Sequence, residues 1–420
     1  MRVARGSPTW ARRGLLAAVL AAAALIPGHA IGSASHACSG RCSTAGTIRW
    51  VRLLPGSWTA AGGITGTVPS QGEAYAAAGS RVAAIGFRLT VAAFGVSTGQ
   101  PLWTAALTGF PAGSSIVSVR VWPGTVTVGV SFPSTGTDVS ARAEVVLAAR
   151  TGRRIRRYPA AAYGGAVAAD TAGTVVVGLT SVTSYDNATG QPIWNRPTGP
   201  VPQAWRADQG ALYVTVAAGG YLGTAPVTAL RRISLKTGAE EMIRPADGQF
   251  AGTLSGAFDG VVLFSGADGL AAYSGDTGHL LWQRRGTPET VDTEDNALYV
   301  TGRRGLAGIN PRTGIRIARM SAPGSPGLYG IRGGTAVGLD LGAAGDAWGY
   351  DIAARRVVWT TPPVPWPHYF VDLSGIGGSA NPESSTVLLS SCAELGTASS
   401  GGSGLSGQTC LRPELVAVSR

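Results

Sequence analysis

The sequence predicts an all-β fold built from repeated four-stranded antiparallel units, and three observations point to it. Gly accounts for 62 of the 420 residues, and charged side chains for only 14%. After the first forty residues, no stretch carries apolar residues at the spacing of an amphipathic helix. Short apolar stretches bounded by Gly, Asp, Asn or Pro recur instead, as in ALYVTV at 211–216 and VVLFSG at 261–266, and such stretches are typical of β-strands.

The first 37 residues have the composition of an export signal. Four arginines precede an uncharged core of twelve residues at 15–26, and small residues follow it. Twelve apolar residues are too few for a comfortable membrane span. We therefore expect 1–37 to be a signal peptide and short leader. The mature chain is then secreted or extracytoplasmic, without a transmembrane span, and its attachment to the cell envelope is left open. The four arginines leave with this segment and no acidic residue does, so the net charge falls from +11 to +7.

Four cysteines in an exported chain predict up to two disulfides. Cys392 ends a predicted strand and Cys410 begins the next, so a bridge between them across the intervening loop is one expectation. Cys38 and Cys42 then form a second, small loop. Cross-links between the two pairs are the alternative, because all four cysteines belong to the same predicted unit.

A Thr-Gly-x-x-x-Trp motif recurs along the chain. The three full copies are Thr98-Gly99 with Trp103, Thr189-Gly190 with Trp194, and Thr277-Gly278 with Trp282. Three further copies keep Thr-Gly, at 151–152, 237–238 and 313–314, whereas the copy ending at Trp359 keeps only the Trp. The Thr-Gly copies lie 36 to 53 residues apart, which is the range of a four-stranded propeller blade.

The motif predicts a structural corner. Gly supplies the positive φ that the turn needs, and a preceding Asp, Asn or Ser caps the turn with its side chain. The Trp then packs its flat face over the neighbouring unit, and its indole N–H reaches a backbone carbonyl. A residue repeated at equivalent places in a ring is not expected to be catalytic at each of them.

The two ends of the chain predict a closed ring. The segment 43–50, which ends in Trp50, has the pattern of a fourth strand with no first three strands before it. The segment 415–420 has the pattern of a third strand without a fourth. The N-terminal strand is therefore expected to complete the last blade, which leaves no exposed sheet edge. The count gives an eight-bladed β-propeller in one domain, 38–420, with a seven-bladed ring as the alternative.

The motif resembles the repeats of the pyrroloquinoline-quinone (PQQ)-like β-propeller family, whose blades carry Asp-x-x-Thr-Gly-x-x-x-Trp. The resemblance runs from about Thr44 to Arg420. It implies either a quinoprotein dehydrogenase, which uses PQQ and calcium, or a non-catalytic scaffold such as the lipoprotein that assists outer-membrane assembly. This chain has no adjacent pair of cysteines, and His279 and His368 stand alone. We therefore expect no cofactor.

The sequence favours an exported, non-catalytic scaffold that binds an envelope or extracellular protein or an anionic wall polymer. Nucleic acid is not expected, because the arginine doublets are scattered along the chain. The alternatives are a PQQ- and calcium-dependent quinoprotein oxidoreductase and a glycan-binding propeller. Propeller ligands meet the axial face, where first strands converge. The candidate surface residues near first strands are Arg120, Trp122, Trp205, Arg206, Tyr329, Arg332, Tyr369 and Asp372.

Overall fold

The described chain consists of 34 β-strands joined by turns. The computed structural model describes residues 48–419, with gaps at 54–57, 60–73, 79–80, 134–140, 161–163, 179, 199–203, 209, 218–225, 268, 286–290, 295–296, 303–304, 321–325, 333–334, 341–346, 352–355, 361–385, 393–394, 399–406 and 411–412. No helix occurs in these residues, as the sequence predicts. The predicted signal segment 1–37, Cys38 and Cys42 lie outside them.

After the short strands β1 (Ile48–Leu53) and β2 (Trp58–Thr59), seven four-stranded antiparallel sheets follow in the described chain. Each is a meander, in which neighbouring strands are consecutive in sequence. The first sheet comprises β3 (Ala74–Ala78), β4 (Val82–Phe87), β5 (Thr90–Gly95) and β6 (Pro101–Ala106). The second comprises β7 (Ser115–Trp122), β8 (Thr125–Phe132), β9 (Ala141–Ala148) and β10 (Arg154–Ala160).

The remaining five sheets repeat this order. The third comprises β11 (Gly165–Ala169), β12 (Gly173–Val177), β13 (Ser181–Asp186) and β14 (Pro192–Pro197). The fourth comprises β15 (Trp205–Asp208), β16 (Ala211–Ala217), β17 (Val227–Ser234) and β18 (Glu240–Ile243). The fifth comprises β19 (Thr253–Phe258), β20 (Val261–Gly266), β21 (Gly269–Ser274) and β22 (Leu280–Arg284). The sixth comprises β23 (Val291–Glu294), β24 (Ala297–Gly302), β25 (Gly305–Ile309) and β26 (Arg316–Met320). The seventh comprises β27 (Pro326–Arg332), β28 (Thr335–Asp340), β29 (Ala347–Asp351) and β30 (Arg356–Thr360).

The last strands of the chain are β31 (Thr386–Cys392), β32 (Leu395–Ala398), β33 (Gly407–Cys410) and β34 (Pro413–Ser419). β34 lies between β31 and the N-terminal strand β1, and pairs antiparallel with both. The register places Val51 opposite Val416. A smaller sheet has the order β2-β33-β32. The first and last strands of the described chain therefore share one sheet.

Burial follows strand position within each sheet. The second strand β8 is buried over six consecutive residues, from Thr125 to Val130, and the third strand β9 is buried over Ala143–Leu147. The fourth strand β6 alternates between exposed and half-buried residues. A strand that is buried on both faces needs cover on both faces. The sheets therefore pack face to face, and their fourth strands lie at the periphery.

The apolar core lies between consecutive sheets. Ala84 and Val91 of the first sheet pack with Val128 and Val145 of the second. Similar clusters join the third sheet to the fourth, the fourth to the fifth and the fifth to the sixth. First strands of neighbouring sheets also contact each other, as β3 contacts β7 and β15 contacts β19. Each sheet is thus stabilised by its neighbours, as in other repeat architectures.

The six Thr-Gly corners join third strands to fourth strands with one geometry. Their glycines have φ between 63° and 78°. Each glycine N–H donates to the carbonyl four residues earlier, at 2.7–2.9 Å. Each threonine Oγ1 accepts the N–H two residues later, at 3.2–3.4 Å. In the third sheet, Asp186 caps the turn, because its Oδ1 accepts the N–H groups of Ala188 and Thr189 at 2.7 and 2.8 Å.

The tryptophan of one sheet seats on the corner glycine of the next. Trp103 lies against Gly152, and Trp282 against Gly314. The indole N–H groups donate to the carbonyls of Ala149 and Pro311, both at 2.7 Å. A Cβ built on Gly314 would lie 2.6 Å from Cγ of Trp282, so no other residue fits there without a shift. We call this contact the corner wedge.

The corner wedge persists where the motif departs from its pattern. In the second sheet Arg156 replaces the Trp, lies over Gly190, and donates to the carbonyls of Asn187 and Ala188. Trp194 seats on Gly238, but its buried indole N–H has no described partner, contrary to the expected carbonyl bond. The carbonyl of Gly238 instead accepts the guanidinium of Arg196. Trp50 and Trp359 lie on β1 and β30.

The strand register separates the two C-terminal cysteines. Cys392 ends β31 and faces Pro413, whereas Cys410 faces Leu395. Cys410 was expected to begin a strand, but it ends the short strand β33. The C-terminal segment forms two strands here, β33 and β34. The register thus offsets the two cysteines, because Cys392 pairs in the sheet of β31 and β34 and Cys410 in the sheet of β32 and β33. Disulfide formation requires Cα atoms within about 7 Å, so the bridge stays a prediction.

Replacement of a corner glycine tests the corner wedge. We expect Gly238→Ala to destabilise the protein more than Gly210→Ala, by about 1–3 kcal/mol. Both glycines are in the fourth sheet and have positive φ, at 68° and 79°. Only at Gly238 would the new Cβ meet the ring of Trp194, at 2.6 Å, whereas nothing lies within 4 Å at Gly210. Denaturant unfolding followed by circular dichroism measures the difference. Equal losses of stability would contradict the wedge.

Candidate functional site

First strands bring three of the predicted surface residues together. Arg120 lies on β7, and Trp205 and Arg206 lie on β15. The Arg120 guanidinium carbon lies 5.5 Å from the centre of the Trp205 ring, within the range of a cation–π contact. Nη1 of Arg120 donates to the carbonyl of Ala166 on β11. Arg120 of the second sheet and Trp205 of the fourth sheet thus meet next to β11, the first strand of the third sheet.

Backbone carbonyls fix the position of Arg206. Its Nε donates to the carbonyl of Ser255 on β19 at 3.0 Å, and its Nη1 to the carbonyl of Trp205 at 2.7 Å. Burial, and next the positive charge of Arg120, lower the pKa of Arg206 below its usual value. The side chain nevertheless stays exposed to solvent.

A buried ion pair lies beside these residues, on β9. Nη2 of Arg142 is 3.1 Å from Oε1 of Glu144, and the two side chains are 11% and 1% exposed. Nη2 also donates to Oγ of Ser118 on β7, at 2.6 Å. Gly129 lies between Ser118 and Glu144 in the strand register. A Cβ on Gly129 would lie 2.8 Å from Oε1 of Glu144 and still closer to the Arg142 and Ser118 atoms. The missing side chain therefore makes room for the ion pair.

The ion pair and Arg120 meet at Gly165, the first residue of β11. A Cβ on Gly165 would lie 2.9 Å from Oε1 of Glu144, 3.3 Å from Nη2 of Arg142 and 3.5 Å from Nη1 of Arg120. We define the axial cluster as Ser118, Arg120, Arg142, Glu144, Trp205 and Arg206. It holds three guanidinium groups and one carboxylate, so positive charge is in excess. Such a surface suits an anionic ligand.

Trp122 is the other predicted surface residue whose side chain the structure describes. Trp122 ends β7, and its indole N–H donates to Oγ1 of Thr127 within the same sheet, at 2.9 Å. Tyr329 and Arg332 lie on β27, the first strand of the seventh sheet. Tyr369 and Asp372 lie outside the described residues.

Sequence reasoning missed the ion pair of the axial cluster. Arg142 and Glu144 are two residues apart, so that both side chains point to the same face of β9. A charged pair at this spacing directly before the apolar stretch VVLAA was the available signal. The pairing of the strands places Gly129 and Ser118 beside the ion pair, and this register could not be read from the sequence.

The described residues offer little for metal binding or for spanning a membrane. Within them, no group of three His, Cys, Asp or Glu side chains is arranged to hold a metal ion. The same part of the chain contains no helix of sufficient length and apolar character to cross a bilayer. The one carboxylate of the axial cluster is already paired with Arg142.

Neutralising the buried carboxylate tests how the axial cluster is held. Glu144→Gln leaves the buried guanidinium of Arg142 uncompensated, so we expect the free energy of unfolding to fall by about 3 kcal/mol. The matched control is Glu241→Gln, whose carboxylate is 59% exposed and 3.5 Å from Arg232. It should change stability by about 1 kcal/mol or less. Chemical denaturation of both variants is the measurement, and equal small effects would contradict this role for Glu144.

A family model matches the middle of the chain. Residues 178–356 match the PQQ_2 model, which is described as "Outer membrane protein assembly factor BamB". No curated protein matches the chain. The matched segment contains the Thr-Gly corners at Gly190, Gly238, Gly278 and Gly314.

Solved structures resemble the chain over most of its length. A computationally designed protein, Ika8, has 14% identity and a TM-score of 0.50, covering 84% of this chain and 97% of its own. BamB from Moraxella catarrhalis has 18% identity and a TM-score of 0.41, with 76% and 95% covered. The dihydro-heme d1 dehydrogenase NirN has 15% identity and a TM-score of 0.47, with 70% and 68% covered. The likeness to the designed protein concerns the fold alone. The repeats matched over 178–356, together with the four-stranded sheets of the described chain, support the PQQ-like repeat family of β-propellers.

Proposed function

We propose that the protein is an exported, non-catalytic β-propeller scaffold whose axial face binds an envelope protein or an anionic wall polymer. The observation that carries the proposal is the axial cluster, in which backbone carbonyls hold Arg120 over the Trp205 ring and Arg206 next to Ser255. Fixed guanidinium groups bind carboxylates and phosphates with little loss of side-chain freedom. Arg and Trp are also the residues that contribute most to protein interfaces.

The axial cluster does not suit the alternative, a PQQ- and calcium-dependent oxidoreductase. Calcium takes six to eight oxygen ligands, whereas this cluster presents guanidinium groups and a single carboxylate that Arg142 already neutralises. Incubation of the purified protein with PQQ and calcium, followed by desalting, should leave no quinone absorbance. Retained quinone with dye-linked oxidation of alcohols or sugars would contradict the scaffold.

Two observations support export to the cell envelope. The N-terminal segment has the basic start, the apolar core and the small residues of a signal peptide. The family model that matches residues 178–356 is named after a factor of outer membrane protein assembly. Binding to a partner protein fits a family that includes assembly factors, and the proposal extends that role to this chain.

The proposed scaffold is a closed, eight-bladed ring. Seven four-stranded sheets in the described chain, together with the sheet that β1, β34 and β31 share, support this count. In this arrangement β1 is the outer strand of the eighth blade, and the chain closes by pairing its two ends. Closure leaves no sheet edge open to unwanted pairing between molecules. It also fixes the first strands, and hence the axial cluster, in one arrangement.

An engineered cross-link tests the closure. Val51 and Val416 are opposite each other on β1 and β34, so we expect Val51→Cys with Val416→Cys to form a disulfide on oxidation. The control pairs Val51→Cys with Val418→Cys, because Val418 faces Ile48. Peptide mapping by mass spectrometry identifies the bridge. Cross-linking of the control pair in preference to the matched pair would contradict the closure.

Charge reversal tests the axial face. We expect immobilised Arg206→Glu protein to lose, by about tenfold or more, the envelope partner that the unaltered protein captures from the envelope fraction of its own cells. Arg153→Glu is the matched control, because Arg153 is exposed at the outer Thr-Gly corner of the second sheet. It makes the same change in charge and should keep the partner. Equal capture by all three proteins would contradict binding at the axial face.

A further inference from the structure

A second basic site, a recess, lies at the fourth strand of the second sheet, whereas the residues that this sheet gives to the axial cluster lie on its first and third strands. It has a volume of about 560 Å³. We call it the outer recess, and its lining residues are Thr108, Gly109, Arg154, Ile155, Arg156 and Arg157. The arginines belong to β10, the fourth strand of the sheet, whereas Arg120 of the axial cluster is on the first strand. Three strand spacings, or about 14 Å, separate these edges.

Backbone carbonyls hold two of the recess arginines in place. Nη1 of Arg154 donates to the carbonyl of Thr108 at 3.2 Å, and Nη1 of Arg157 donates to the carbonyl of Gly109 at 2.9 Å. The Arg157 guanidinium also stacks over the ring of Phe110, 4.0 Å from its centre. Both acceptors belong to the connection that leads from β6 to β7. The positively charged groups are therefore oriented before any ligand arrives.

Arg154 and Arg157 form no ion pair in the described chain, and Arg156 interacts with the carboxylate of Asp186 only through its charge. Ion pairs there involve other arginines, such as Arg142, Arg231 and Arg312, and none includes Arg154, Arg156 or Arg157. A guanidinium has five N–H donors. The carbonyl bonds use one donor of Arg154, one of Arg157 and two of Arg156. Donors and positive charge both remain available in the recess.

We propose that the outer recess binds the phosphate group of a polyanionic ligand. A phosphate carries up to two negative charges and several strong acceptor oxygens, which matches the two fixed guanidinium groups of Arg154 and Arg157 better than a single carboxylate does. The planar fork of each arginine presents paired N–H groups to such oxygens. Arg156 has a double role, because it also replaces the Trp of the corner wedge and lies over Gly190. This site is independent of the proposed axial binding.

Direct binding measurements test the outer recess. The probes are labelled polyphosphate, inorganic phosphate and poly-glutamate, each titrated into the full-length protein at 0.05 and 0.15 M salt and followed by fluorescence anisotropy or calorimetry. We expect polyphosphate to bind, and Arg154→Gln with Arg157→Gln to weaken its affinity by about tenfold or more. Binding of inorganic phosphate as well would show that one phosphate group suffices. The affinity should fall as salt rises, because the contacts are ionic.

The matched control is Arg150→Gln with Arg153→Gln. These two arginines are exposed at the neighbouring turn and do not line the recess, but they remove the same charge from the same sheet. The control should keep its affinity. Arg154→Lys with Arg157→Lys keeps the charge and loses the planar fork. Its affinity for polyphosphate should lie between those of the unaltered protein and the Gln pair. Circular dichroism checks that each variant is folded. Equal affinity of the Gln pair and its control, or equal binding of poly-glutamate, would overturn the phosphate site.

Discussion

The seating of a fourth-strand side chain on the corner glycine of the next sheet is the contact on which the structure depends. A single meander cannot cover both of its faces, so each sheet needs a neighbour at a defined distance and angle. Trp103 and Trp282 provide that definition, because their rings occupy the space that a Cβ would take and their N–H groups are bonded to the next corner. The apolar clusters between sheets then add most of the stabilising burial.

The charged side chains of the two proposed binding sites are found where the sequence departs from the repeat. The corner between the second and third sheets uses Arg156 in place of Trp, and the outer recess lies at this same strand. The second sheet also contains the charged part of the axial cluster, with Gly129 making room for Arg142 and Glu144. At the corners between the first and second sheets and between the fifth and sixth, a Trp makes the contact instead. Both proposed binding sites therefore include residues of the second sheet.

The sequence predicted the parts that depend on local chemistry. Positive φ at Thr-Gly corners needs glycine, and short apolar stretches bounded by turn residues form strands. Trp103, Trp194, Trp282 and Trp359 accordingly all fall on described fourth strands. Arg120, Trp205 and Arg206 were identified as surface candidates from their first-strand positions. Long-range placement was not predictable: the Arg142–Glu144 pair depends on register across three strands, and Trp194 leaves its N–H without a described acceptor. The offset of Cys392 and Cys410 has the same origin.

A double-mutant cycle at Trp282 and Gly314 tests the corner wedge most directly. The Cβ of Gly314→Ala meets the indole ring only while Trp282 is present. We therefore predict that Gly314→Ala destabilises the natural protein more than it destabilises Trp282→Ala, with a coupling energy of about 1–2 kcal/mol in denaturant unfolding. The backbone strain at φ 68° is common to both backgrounds and cancels. Additive effects, within about 0.5 kcal/mol, would show that the two residues do not act as one contact and would contradict the account.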